Sequence, residues 1–100
     1  MLKKFSAKDN YLVGVISDTH GRLPQSVLKA FEDADLIIHA GDIGKQEILE
    51  SLGKIAPVIG VRGNMDMGNY ARHLPEKEVI KVSKIMLCVI HDVYKIELKE

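Results

Sequence analysis

Three short apolar runs constrain this chain more than anything else in it. "YLVGVIS" (Tyr11 to Ser17), "LIIHAG" (Leu36 to Gly41) and "VIGVRG" (Val58 to Gly63) are β-branched and bounded by Gly, Asp or Asn. That pattern marks strands buried on both faces. Between the first two runs, "PQSVLKAFEDA" sets Val27, Leu28 and Phe31 at helical spacing behind Pro24, a residue suited to a first turn. Between the second and third, "KQEILESLG" gathers Ile48, Leu49 and Leu52 on one face, with Gly53 placed as a C-terminal cap. The order β-α-β-α-β predicts parallel strands joined by right-handed helical crossovers, an α/β fold with helices packed on the sheet.

After Asn64 the pattern changes. A polar connector, "MDMGNYARHLPEK", leads to "EVIKVS" and "KIMLCVI", two apolar runs that meet at Ser83 and Lys84 and so predict an antiparallel hairpin. The final "HDVYKIELKE" is charged and reads as the start of a helix or as a tail. At 100 residues the chain is expected to be one small domain, 1–100, with a modest core. Its 14 basic and 14 acidic residues balance, which argues against a nucleic-acid partner, because phosphate-backbone binding needs a basic patch. The single Cys88 excludes a disulfide framework, suits a reducing compartment and reads as a small buried hydrophobe within "IMLCVI". The first ten residues lack a signal-peptide apolar core, and no segment approaches the ~20 apolar residues that span a bilayer. A cytoplasmic protein without a membrane partner is expected.

The polar residues that follow each run carry the functional reading. The first run exits into Asp18 and His20, the second through Gly41 into Asp42, the third through Gly63 into Asn64, and the last into His91. In an open parallel sheet, ligands bind in the crevice outside the carboxyl ends of the strands, so these side chains are expected to share one crevice. Asp18 and His20 are two apart, which in extended backbone sends both to the same side. Glycines at 41 and 63 would permit close backbone approach beside each candidate.

"SDTHG", "HAGD", "RGNMD" and the late His91 resemble the ordered motifs D-x-H, G-D, G-N-x-D and H of the calcineurin-like metallophosphoesterases, in particular their small prokaryotic phosphodiesterase branch. The likeness runs from Val13 to about Asp92. It implies an α/β/β/α sandwich, of which this chain would supply the β-α-β-α-β part and a hairpin of the second sheet. It also implies a two-metal site, with Asp18 and His20 on the first ion, Asp42 bridging both, and Asn64 with His91 on the second. Two divalent ions ~3.5–4 Å apart activate water and clamp phosphoryl oxygens during an in-line displacement. A shell of carboxylate, amide and imidazole without thiolate suits manganese first, with iron, cobalt, nickel or zinc as alternatives. Asn64, Asp66 and His91 are the expected catalytic residues and a small phosphoester the expected substrate.

Three departures from the family pattern bear on activity. Met65 stands where many members carry a histidine that serves the leaving group, and Asp66 is the nearest titratable substitute, unless it caps backbone N–H groups in a turn. Asp92 follows His91 where glycine is frequent. The four histidines are 20, 39, 73 and 91, so the family's late G-H-x-H motif is absent, and the chain is expected to be an amino-terminal portion or a shortened product. A catalytically weak or inactive scaffold for protein contacts is the alternative function, as in a similar eukaryotic retromer subunit. His39 is expected to be a packed or outer-sphere histidine and His73 a loop residue. The hairpin's open edge is expected to promote a homo-oligomer.

Overall fold

The computed structural model describes residues 2–92. Six strands and two α-helices follow in the order β1 (Lys3–Phe5), β2 (Val13–Ile16), α1 (Gln25–Ala30), β3 (Leu36–His39), α2 (Gln46–Gly53), β4 (Val58–Gly60), β5 (Lys77–Val82) and β6 (Ile85–Ile90), with a 3-10 turn at Asn69–His73 before β5. Strands β2, β3 and β4 form a parallel sheet in that spatial order. A second sheet has the order β1-β5-β6, its β5–β6 hairpin antiparallel as expected. Ser83 at φ 53 supplies the positive dihedral of the two-residue turn.

Side-chain alternation on β3 organises the layers. All four of its residues are buried. Leu36 and Ile38 pack with Ile80, Val82 and Val89 of the second sheet, whereas Ile37 packs with Ile48 and Leu52 of α2. The result is helices, first sheet and second sheet, three layers of the expected four-layered sandwich. Helix α1 is six residues long and ends sooner than its sequence pattern suggests. A helix that short has little stability of its own. It is held by Leu28 and Phe31 against the helix-side core. Gly53 is the last residue of α2 and Lys54 is its cap, so the expected glycine cap is displaced by one position.

One element has no counterpart in the sequence pattern, and one expectation is corrected. The amino terminus, to which that pattern assigns no element, contains β1, which pairs in parallel with β5 through Lys3↔Ile80, Lys4↔Lys81 and Phe5↔Val82. Lys3 also pairs with Glu78 at 2.9 Å. Cys88, read as buried, is exposed. On β6 the neighbours Leu87 and Val89 turn to the inter-sheet core, so period-two alternation sends Cys88 to the opposite face. The tail from residue 93 onward lies outside the described residues, and no described helix is long and apolar enough to cross a membrane.

The two ends of the second sheet differ in protection. Lysines 3 and 4 guard the β1 edge, while β6 carries no charge over Ile85–Ile90 and has no further strand among the described residues. Uncharged open edges recruit other strands. This chain is therefore expected to self-associate by light scattering at about 100 μM, a range in which exposed edges aggregate. A monodisperse monomer would contradict that expectation.

Candidate metal centre

The loops that leave β2 and β3 are joined edge to edge beyond the strands. The Asp18 N–H donates to the Gly41 carbonyl at 2.9 Å, that of His20 to Asp42 at 3.0 Å, and that of Gly21 to Ile43 at 2.7 Å. Asp18, His20 and Asp42 take φ values of 58°, 48° and 58°. Asp18 and His20 therefore converge through a left-handed turn, not through the extended backbone expected from their spacing. Such dihedrals cost non-glycine residues of order 1–3 kcal/mol each and persist where surrounding bonds over-determine them. The described non-glycine residues with positive φ are these three candidate ligands and Ser83.

Asp42 stands at the centre of the group. It is 5% exposed, its Oδ1 accepts the Met65 N–H at 2.9 Å, and its Oδ2 lies 3.3 Å from His91 Nε2. This packing needs glycine at two neighbours. A Cβ on Gly63 would sit 2.1 Å from Asp42 Oδ1, and one on Gly41, at φ 106, would sit 2.8 Å from His91 Nδ1. His91 donates Nδ1–H to the Ala40 carbonyl at 2.8 Å. In the neutral ring that bond leaves Nε2 as the lone-pair nitrogen, aimed at a carboxylate oxygen, a pairing that a proton or a cation between the two atoms relieves. A carbonyl-anchored imidazole is the usual form of a metal-ligating histidine.

One ligand atom each from Asp18, Asp42 and His91 lies within 4.8 Å of the other two. His20 is at the rim, its Nε2 3.8 Å from Asp18 Oδ1, with both side chains about half exposed. Asn64 is exposed and borders, with Gly63 and His91, a cavity of about 40 Å³. The donor set of carboxylates, imidazoles and an amide fits a divalent transition ion. His73 is exposed on the 3-10 turn.

Asp66 is corrected from proton donor to loop cap. Its carboxylate accepts the N–H groups of Asp42 (2.9 Å), Ile43 (2.8 Å), Gly44 (3.1 Å) and Gly63 (2.9 Å) and the Tyr70 hydroxyl (2.7 Å). Burial alone would raise its pKa, but the Gly63 amide, the Tyr70 hydroxyl and the other amides hold it below the usual carboxylate value. Tyr70 is pushed up to about 12 by burial and by Asp66. An ionised carboxylate with five donors has no proton to give. Sequence reasoning missed Tyr70 and the Ala40 carbonyl. The four-residue spacing from Asp66 was a signal for Tyr70, whereas a backbone carbonyl 51 residues from His91 has none.

The description of the calcineurin-like phosphoesterase superfamily domain matches residues 11–100. The chain belongs to that superfamily. It is 47% identical over 85 residues to a "probable metallophosphoesterase" of Methanocaldococcus jannaschii, covering 80% of this chain and 42% of the relative. A second "probable metallophosphoesterase", from Methanothermobacter thermautotrophicus, is 40% identical over 85 residues, covering 80% and 49%. The chain thus spans less than half the length of these calcineurin-like relatives. Among solved structures, Chaetomium thermophilum Vps29 matches with TM-score 0.68 and 22% identity, over 79% of this chain and 46% of that one. Wild-type Entamoeba histolytica Vps29 complexed with zinc matches with TM-score 0.66 and 26% identity, over 78% and 46%.

The buried groups of this calcineurin-like centre set a pH dependence. His39 is fully buried, and burial outweighs the pull of the Asp66, Asp18 and Asp42 carboxylates, lowering its pKa from 6.5 to about 4. The unfolded chain takes a proton there below pH 6.5 and the folded chain only near 4, so acidification across that window favours unfolding. Asp66 adds stability that is present above its ordinary 3.8 and is lost as pH falls through its lower folded value. In chelator, the urea midpoint should fall from pH 6.5 to 4 and fall further below 3.8. Asp66→Asn, which turns an NH2 toward backbone donors, should lose roughly 3 kcal/mol or more at pH 7. A flat midpoint across the window, or a neutral Asp66→Asn, would refute this account.

Proposed function

We propose that this chain carries the two-metal centre of a phosphoesterase that acts on phosphodiesters or small phosphate esters. The observation that carries the reading is the meeting of Asp18, Asp42 and His91, with Nε2 of the carbonyl-anchored His91 ring facing Asp42 Oδ2 at 3.3 Å. Membership of the superfamily and the names of the archaeal relatives support it. Asp18, His20 and Asp42 would hold one ion, and Asp42, Asn64 and His91 the other. Bound divalent ions would supply Lewis acidity toward a phosphoryl group and lower the pKa of a water molecule. Manganese is the proposed ion from the donor set, and the zinc in the Entamoeba Vps29 structure keeps zinc beside it.

The protein's own groups set what such a site can do with a proton. Asp42 is fixed by the Met65 amide and by burial, so its free oxygen keeps its place without reorganising. Asn64 is exposed beside His91 and so can meet a ligand or substrate oxygen. Met65 has nothing to donate and Asp66 is saturated, so neither protonates a leaving group. Esters with good leaving groups, such as nitrophenolates, need no such acid. Alkyl esters do.

A scaffold role is the second reading. It is favoured by the Vps29 likeness in fold and by Met65 and Met67, which are 59% and 75% exposed beside the centre. Calorimetric titration with manganese separates the two. Wild type should bind, and Asp42→Asn should lose more than ~10-fold in affinity, the smallest loss typical of even an outer partner of a metal ligand. With manganese, bis-p-nitrophenyl phosphate should be hydrolysed slowly and dialkyl phosphates not measurably. Equal binding by both proteins would overturn the metal centre. Metal binding without turnover of any phosphoester would put the scaffold first.

A further inference from the structure

We propose that Thr19 and His39 form a positioning clamp that holds the Asp18–His20 turn in the conformation that offers both side chains to a metal ion. The proposal rests on the metal-centre reading above, and it gives a role to Thr19, which that reading left out, and a specific one to His39. Thr19 lies between the two rim ligands in sequence, yet while Asp18 and His20 are exposed, Thr19 is half-buried. Its Oγ1 donates to the Ile43 carbonyl at 2.8 Å and lies 3.0 Å from His39 Nε2. On the other side of that ring, Nδ1 lies 3.1 Å from the Gly41 nitrogen, whose N–H can only donate.

Those contacts set the direction of every proton. Nδ1 accepts from Gly41, so the proton of the neutral imidazole is on Nε2 and is given to Thr19 Oγ1, and the hydroxyl proton goes to Ile43. The circuit begins and ends on residues 41–43, the segment that carries Asp42. The burial that keeps His39 neutral to well below pH 7 also keeps Nδ1 unprotonated and able to accept from Gly41. Thr19 therefore ties the rim turn to the Asp42 segment through its side chain, in parallel with the three backbone bonds between the same segments. Asp18 and His20 hold unfavourable left-handed dihedrals, and a conformation of that kind lasts only where several bonds agree on it. The Thr19 hydroxyl and both His39 ring nitrogens are committed to each other and to backbone groups, so both residues act through the residues they hold.

Two substitutions separate the hydroxyl from the packing. Thr19→Val keeps the branched shape and removes the hydroxyl, whereas Thr19→Ser keeps the hydroxyl and removes the methyl. In metal-free protein, amide exchange at His20 and Gly21 should accelerate about 10-fold or more in Thr19→Val and stay near wild type in Thr19→Ser, with Ile37 in β3 unchanged in both. Manganese affinity by calorimetry should fall ~10–100-fold in Thr19→Val and remain within about 3-fold in Thr19→Ser. Thr19→Ala provides the same comparison if the valine protein does not fold. Wild-type affinity in the hydroxyl-less variant overturns the clamp, as does an equal loss in Thr19→Ser, which would assign the effect to the methyl group. A wild-type protein that binds no manganese instead overturns the metal-centre reading, and the clamp's purpose with it.

Discussion

The site end of this molecule depends on one buried carboxylate. Asp66, 6% exposed, collects four backbone N–H groups from two loops and a phenol hydroxyl from a third segment. A buried charge is costly unless its lone pairs are matched, and here the donors are fixed dipoles that converge on one point. The same bonds that satisfy Asp66 dictate the path of residues 42–44. With the backbone N–H groups of that segment turned inward to Asp66, the Asp42 side chain is left to face Met65 and His91. The left-handed dihedral at Asp42 is thus offset by a carboxylate 24 residues away in sequence.

Burial grades the candidate ligands. Asp42 is enclosed and His91 is half-buried on an anchored ring, whereas Asp18 and His20 stand at the rim. In the proposed centre the enclosed Asp42 would set the geometry, and the rim residues would leave the site open to solvent. The rim turn owes its shape to the neighbouring loop, because its backbone continues the β2–β3 pairing past the ends of both strands. The rigid, fully buried β3 is the common support for both loops.

Fold and function remain separate questions in this superfamily. The chain matches in sequence archaeal relatives named as probable metallophosphoesterases and matches in fold Vps29, and a fold of itself assigns no chemistry. What bears on the proposed chemistry is particular residues: an anchored imidazole nitrogen faces a fixed carboxylate oxygen. Met65 stands where a proton donor would be expected, and its acidic neighbour is committed to the backbone.

The sequence by itself determined the order and type of the main elements and the positions from which the candidate ligands emerge. Burial on both faces selects continuous β-branched runs, as in β3, although β2 leaves Val15 63% exposed; amphipathic helices lie between parallel strands and candidate ligands follow at the strand exits, each a local pattern. Tertiary structure decided the rest. Strand β1 has three residues, two of them lysines, and exists because β5 offers an edge far along the chain. Cys88 faces outward because hairpin register, not hydrophobicity, chooses its side. Asp66 reads equally well as an acid or as a cap until the amides of Asp42, Ile43 and Gly44 are seen to surround it. The left-handed dihedrals at Asp18, His20 and Asp42 fall on residues that are not glycine, beside Gly21 and Gly41, so the glycines mark the turns but not which neighbours share them. Propensity and periodicity act between near neighbours in sequence, whereas the hydrogen bonds that bend these loops join residues brought together only when the two sheets and their connections have packed.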